Sequence, residues 1–424
     1  MSVITAEHIE RVGSRLVIAK GDVVTPLARD RARELNVTIE VGDVSSARPG
    51  AAIAAPAPQT PARPAAAAVV RLEKPSRPVE APTQLGAFSG ALYRRGALLP
   101  REMQPTPGEQ AQLGADGRPK AAVIGAGHVG ATTALRLVET SLFSKVTMVD
   151  IQSGLAEGLA LDMWHSAGLR GFDTRVEGSQ ELSALAGADY IVMTAGRPRK
   201  PGMSRTDLTG VNAEIIRAVA TGIRQFAPQA VVVVVTNPLE EMTELMTRAT
   251  GFPASRVLGM AGVLDSARFC ALVALTGIAK PGQVEALALG SHGPEMVIPL
   301  SLATAAGQPL EAQLPADRLA AIVERARDSG AEVVGLLKTG SAYYAPAESA
   351  AAMVRSMVSG ENRIIAACVR SGGAYGLPDT RVGLPVRLGR QGVAEIIELP
   401  LRQNEREALK KAAESIANRI AELG

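Results

Sequence analysis

Residues 120–130 read KAAVIGAGHVG. The apolar run Ala121 to Ile124 is the pattern of a strand buried on both faces, and Gly125, Gly127 and Gly130 follow it in G-x-G-x-x-G spacing. Spacing alone is a weak signal, because glycine-rich turns are common. Position strengthens it: the turn closes an apolar strand and opens a helix after His128, so the glycines let backbone amides approach a pyrophosphate at the positive end of the helix. The next strand, KVTMVD, ends at Asp150, twenty residues past Gly130. A carboxylate there accepts hydrogen bonds from a ribose 2′-hydroxyl and repels a 2′-phosphate, which predicts NAD rather than NADP. The bland alternative is a tight strand-to-helix turn followed by an exposed aspartate.

Working outward, ADYIVMTAG and AVVVVVTNP supply two more apolar strands, and the alternation with helices predicts a doubly wound parallel sheet of Rossmann type over residues 119–262. After about Ala261 strands are expected to thin out, leaving a helix-rich α+β substrate domain over residues 263–424. Its helices include ADRLAAIVERARDSGAEVVGLLK and a C-terminal one with Leu409, Ala413, Ile416 and Ile420 in one stripe. At the other end, residues 1–43 form a small unit: ITAEHIERV as a helix, RLVIAKG as a strand, then a helix capped by Thr25 and Pro26 and a final strand. Residues 44–118 are a linker. Twelve alanines and eight prolines fall within residues 47–82, and the more apolar residues 85–103 are a spacer or an interaction segment.

The 45 basic and 42 acidic residues leave a net charge of only +3. Residues 47–119 hold nine basic against five acidic residues, which accounts for the whole excess. No basic face remains for nucleic acid. The longest aliphatic run, Ala230 to Val235, is far short of the ~20 residues that cross a bilayer. Glu7 and Glu10 do not fit a secretory or transit leader, so the expected location is cytoplasmic. Cys270 and Cys368, expected in apolar helical contexts, lack metal or disulfide spacing, and no metal site is expected.

Against this background AGRPRKPGMSR, residues 195–205, stands out: Arg197, Arg199, Lys200 and Arg205 occupy eleven positions with no acid. It reads as a local anion site on a loop whose glycines, Gly196 and Gly202, allow closure. Elsewhere GVLDSARFC sets Asp265 and Arg268 three residues apart, on one face of a helix, and LGSHGPEM carries His292, one of four histidines. Taken singly, a surface ion pair and a structural histidine are the better explanations of these.

Together the motifs IGAGHVG, RPRKPGMSRTDL with Asn212, VTNP, GMAGVLDSARF, LGSHG and LKTGSAYYAP, in this order, resemble the lactate and malate dehydrogenase family over about residues 118–423. The closest likeness is to its lactate-dehydrogenase-like malate dehydrogenases. The resemblance implies NAD-dependent, reversible conversion of malate to oxaloacetate, a step of the tricarboxylic acid cycle, by a homodimer or homotetramer. It implies His292 as the proton acceptor and Asp265 as the carboxylate that orients it. Arg268 would clamp the substrate C1 carboxylate, Arg205 would polarise the carbonyl, and Asn237 would contact substrate and nicotinamide. Gly125, Gly127, Gly130, Asp150 and Asn212 complete the cofactor site. Arg199 corresponds to the loop position that selects substrate, where arginine suits the second carboxylate of a C4 dicarboxylate. Arg197 and Lys200 are then solvated flanks.

Two residues depart from the family pattern. Pro294 stands where aspartate is common, removing a backbone donor beside the histidine, and Glu240 also replaces a more usual aspartate. Separately, VTPLARDRARELNVTIE is similar to a short segment of bacterial microcompartment-associated proteins, which implies tethering to a microcompartment or scaffold protein through residues 1–118; the alternative is an inert small fold that merely packs on the enzyme. Two other readings compete with the malate enzyme: a lactate or other 2-hydroxyacid dehydrogenase, and a non-catalytic scaffold built on the same fold.

Overall fold

A computed structural model describes residues 3–4, 14–18, 23–24, 32, 35, 37–41, 117–198 and 205–423. The chain divides into two units, Met1–Arg95 and Gly96–Gly424. In the first, Arg15–Ile18 pairs in parallel with Thr38–Val41, and Val3–Ile4 pairs in parallel with Val23–Val24. Both strands expected there, RLVI and TIEV, are present. Ile18, Ala32 and Val37 form its small core, and Arg15 pairs with Glu40 across the longer strand pair. Ala32, within the helix expected from Thr25, is helical, whereas Ile4, which opens the expected helix ITAEHIERV, lies in a strand; the rest of both helices and the linker up to residue 116 lie outside the described residues.

The second unit starts with β1 (Lys120–Ile124), α1 (His128–Val138), β2 (Lys145–Val149), α2 (Leu155–His165) and β3 (Arg175–Ser179). It continues through β4 (Tyr190–Met193), α3 (Arg205–Phe226), β5 (Val231–Val234), α4 (Leu239–Thr250) and β6 (Val257–Gly259). These six strands are parallel and lie side by side in the order β3-β2-β1-β4-β5-β6. This is the doubly wound Rossmann arrangement, whose crevice opens where the order reverses, between β1 and β4. Alternation within the apolar strands feeds two cores. Ala121 and Val123 face Leu137, Val138 and Ala156 on one side, while Ala122 and Ile124 face Ile216, Ala220 and Met242 on the other.

Beyond α5 (Gly262–Ala274) come β7 (Leu289–Gly290), β8 (Met296–Val297), α6 (Ala316–Leu337), α7 (Tyr344–Ser359), β9 (Ile364–Arg370), β10 (Arg381–Gly389), β11 (Gly392–Ile396) and α8 (Gln403–Ala421). This half is α+β, but the expectation that strands thin out is corrected. Its β9 and β10, of seven and nine residues, are longer than any strand of the parallel half. They extend the same sheet, because Gly259 of β6 pairs antiparallel with Cys368 of β9. Cys368 is therefore a buried strand residue, not a helical one. The reason is that the run IIAACVR is buried on both faces, where strand and helix have the same apolar look. On α8 the expected stripe of Leu409, Ala413, Ile416 and Ile420 is buried.

Candidate active site

Three features shape the glycine turn. Gly125 has φ +96°, and a Cβ there would fall 2.7 Å from Ala195 N. At Gly130 a Cβ would sit 1.8 Å from the Gly125 carbonyl oxygen, so only glycine lets α1 approach the strand end. Gly127 differs: a Cβ would meet nothing within 4 Å, and this residue caps α1 without any side-chain hydrogen bond. The protein thus leaves open the place where helix amides need an anionic partner, which is the cradle a pyrophosphate fills. Asp150 closes the far side. One carboxylate oxygen accepts the Ala126 N–H at 2.7 Å and the other the Gln152 N–H at 2.9 Å, each retaining a lone pair for a ribose hydroxyl.

From this turn a chain of contacts leads to the histidine. Thr236 donates to the Ala195 carbonyl at 2.7 Å. Asn212 is buried, and its amide joins two strand ends: Oδ1 accepts the Arg197 N–H at 2.8 Å, and Nδ2 donates to the Asn237 carbonyl at 2.7 Å and the Arg197 carbonyl at 3.3 Å. Asn212 thereby holds the start of the arginine loop against the VTNP turn. Asn237 itself is exposed, next to a cis bond to Pro238. Three residues on, Glu240 in the first turn of α4 accepts the His292 backbone N–H at 2.6 Å.

His292 Nδ1 lies 2.8 Å from Asp265 Oδ2, while Arg268 Nη1 reaches the other oxygen of the same carboxylate at 3.1 Å. Both acid and arginine are on α5, one turn apart. Asp265 is 3% exposed against 22% for His292 and 16% for Arg268, so the carboxylate sits behind and its two partners in front. With Nδ1–H donated to Asp265, Nε2 of the neutral ring carries the lone pair. Burial alone would depress the histidine pKa. The facing Asp265 charge, its hydrogen bond and Glu240 outweigh burial and the opposing Arg268, and the net pKa lies above the usual value. The arrangement can take a proton from a hydroxyl and hold it.

The loop bearing His292 is fixed from two sides. Arg419 of α8 reaches Glu241 at 3.1 Å, Glu295 at 3.3 Å and Ser291 Oγ at 3.3 Å, which anchors the residues flanking the histidine. Pro294 does not disturb this loop. Its hydrogen bonds run from Gly293 N to Ser291 O and from Met296 N to Gly293 O, both 3.0 Å, so no N–H at position 294 is needed. Sequence reading missed Glu240, Glu241, Glu295, Ser291 and Arg419 as parts of the site. No local pattern signals them, because Arg419 and Ser291 are 128 residues apart. Arg199 and Lys200 lie outside the described residues, as does the side chain of Arg205, whose backbone opens α3. Arg197 is exposed, as a solvated flank should be.

Residues 119–259 match the family model for the lactate/malate dehydrogenase NAD binding domain, and residues 262–423 match that for the lactate/malate dehydrogenase alpha/beta C-terminal domain. The chain belongs to the lactate/malate dehydrogenase family. A malate dehydrogenase from Chloroherpeton thalassium is 47% identical over 297 residues, spanning 70% of this chain and 96% of that protein. One from Thermomicrobium roseum is 48% identical over 299 residues, with the same two coverages, 70% and 96%. Among solved structures, the malate dehydrogenase of Cryptosporidium parvum superposes with a TM-score of 0.69 at 37% identity, covering 72% of this chain and 99% of that one. Membership makes residues 119–259 an NAD-binding domain, in agreement with the open cradle at Gly127 and the carboxylate of Asp150. Neither family model reaches residues 1–118. No helix among the described residues is long and apolar enough to cross a membrane.

Proposed function

We propose that the chain is an NAD-dependent malate dehydrogenase that interconverts malate and oxaloacetate. The observation that carries this is one buried carboxylate, Asp265, holding His292 at 2.8 Å and Arg268 at 3.1 Å. Bound NAD supplies the hydride acceptor for C2 of malate. Neutral His292 takes the hydroxyl proton on Nε2, and Asp265 stabilises the imidazolium that forms. Arg268 receives the C1 carboxylate in its planar fork, Arg205 polarises the carbonyl of oxaloacetate, and Asn237 orients the reacting end of the substrate. Arg199 receives the second carboxylate. Asn212 contributes to the cofactor site by holding the Arg197 and Asn237 backbones together rather than by offering a free amide. Because the histidine pKa is raised, oxidation of malate, which needs the neutral ring, should fall off on the acid side at a higher pH than an unperturbed histidine would give.

NADH oxidation measured with oxaloacetate and with pyruvate side by side tests the assignment. Faster turnover of oxaloacetate supports it; faster turnover of pyruvate makes the chain a lactate or other 2-hydroxyacid dehydrogenase, and none with either makes it a scaffold on a dehydrogenase fold.

The reading extends to assembly and placement. Leu161 and Trp164 are 56% and 45% exposed one turn apart on α2, and Leu169, just beyond, is 90% exposed. Such a surface suits a second copy of the chain, and sedimentation of the full-length protein tests for a dimer or tetramer. Residues 1–118, outside both family models, are an added tether to a microcompartment or scaffold protein. A fluorescent reporter fused to residues 1–118 should form the same foci in the native host as the full-length enzyme; diffuse fluorescence there excludes a sufficient targeting signal.

A further inference from the structure

Three glutamates of α4 are buried at its start: Glu240, Glu241 and Glu244. Two have cationic partners. Glu241 meets Arg419 at 3.1 Å, and Glu244 meets Arg381 at 3.2 Å and Arg248 at 3.0 Å. Glu240 is 2% exposed, and no lysine or arginine among the described residues pairs with it. Its hydrogen-bond partner is the main chain of His292, at 2.6 Å. A buried carboxylate without a cation is costly, and such groups concentrate where a site uses them.

We propose that Glu240 is a positioning residue for the proton acceptor: it fixes the backbone of His292 while Asp265 fixes the ring, and its charge favours the protonated imidazole. The assignment rests on His292 being the proton acceptor of the dehydrogenase reaction. Two rigid supports at right places matter here, because a loop carries the histidine, and misplacement of a reacting group by an ångström is enough to slow a reaction strongly. Glu240 supports the main chain from α4, and Asp265 supports the side chain from α5.

Charge follows the same geometry. The groups facing Glu240 are Glu241 on its own helix, His292 on the loop and Cys368 from β9, while Asp265 and Arg268 of α5 face the His292 ring, and Arg381 of β10 and Arg419 of α8 pair with Glu244 and Glu241. Asp265 and Arg268 offset each other, as do Glu241 and Arg419. Burial pushes the Cys368 thiol well up, which keeps it neutral. Asp265 remains the leading charge on the imidazolium, and Glu240, which has no cation of its own, adds a second carboxylate beside it. Burial, with the neighbouring Glu241, raises the pKa of Glu240 by more than the His292 N–H lowers it, so its charge grows as the pH rises.

Two variants decide the matter. Glu240→Gln keeps an oxygen for the His292 N–H without the charge, and Glu240→Met removes both at similar volume. The first readout is independent of turnover: the titration of the His292 ring protons by NMR in the apoprotein, assigned with His292→Gln. In Glu240→Gln the proton affinity of His292 should fall, by up to about tenfold. In the steady state, Glu240→Met should lose at least about tenfold in kcat with a smaller change in KM for oxaloacetate, while Glu240→Gln retains more of kcat. An unchanged His292 titration in Glu240→Gln overturns the proposal, even if Glu240→Met does not fold. Wild-type protein inactive on both oxaloacetate and pyruvate, but with the titration shifted in Glu240→Gln, would instead break the malate assignment and leave Glu240 in place.

Discussion

The glycine turn and the histidine loop are the two halves of the proposed site, yet they are built by opposite means. At Gly125–Gly130 shape comes from missing side chains: a Cβ at Gly130 would lie 1.8 Å from a carbonyl oxygen, and at Gly127 the space is left open. At Ser291–Glu295 shape comes from charged side chains brought from three other elements: Glu240 on α4, Asp265 on α5 and Arg419 on α8. The first is specified by eleven contiguous residues. The second is specified by residues 27, 52 and 128 positions away from the loop. A site that binds an unchanging cofactor can be made of backbone, whereas one that must tune a proton needs placed charges in a dry setting.

This contrast breaks if the two halves cannot be separated by mutation. Replacing His292 by glutamine should lower kcat by about 10² to 10⁴-fold while NAD affinity, measured by fluorescence titration, stays near wild type. Loss of both together would show that the loop is also part of the cofactor site.

The next effect is on stability. Arg381 is fully buried and ties Glu244, the Val257 carbonyl and Thr247 Oγ1 beneath β10. Arg381→Met should destabilise the fold by about 3 kcal/mol, toward the lower end for a broken buried pair, because Glu244 keeps Arg248. Thermal or denaturant unfolding measures it, and a change below about 1 kcal/mol would show that charge placement is not what supports this half.

Two glycine variants sharpen the distinction within the turn itself. Gly130→Ala should cost the apoprotein about 1 to 3 kcal/mol, because its Cβ meets backbone. Gly127→Ala should leave apoprotein stability within about 0.5 kcal/mol and weaken NAD, since that methyl meets only the ligand. Equal destabilisation by both would mean that Gly127 serves the fold and not the cofactor.

The smallest effect is expected at Asp150, which is only partly buried. Asn at this position still accepts the Ala126 N–H but no longer repels a 2′-phosphate, so the preference for NAD over NADP should shrink by about tenfold. Catalytic efficiencies with the two cofactors, compared before and after the change, decide this, and an unchanged ratio would free Asp150 from any part in selection.

The sequence by itself determined the parallel sheet, the glycine turn and Asp150, because each rests on local rules: apolar alternation, residues that must lack a side chain, and a fixed distance along the chain from turn to carboxylate. Asp265 and Arg268 were likewise legible as one helix face. The length of β9 and β10 was not, since a strand buried on both faces carries no period to distinguish it from a helix, and Cys368 was misplaced for that reason. Nor was the support of His292. Whether Glu240 is a surface acid or a buried clamp, and whether Pro294 breaks a hydrogen bond or sits harmlessly in a turn, depend on which distant atoms arrive beside them. Only the tertiary structure decided that, because hydrogen bonds and charge pairs act over a few ångströms of space and take no account of separation along the chain.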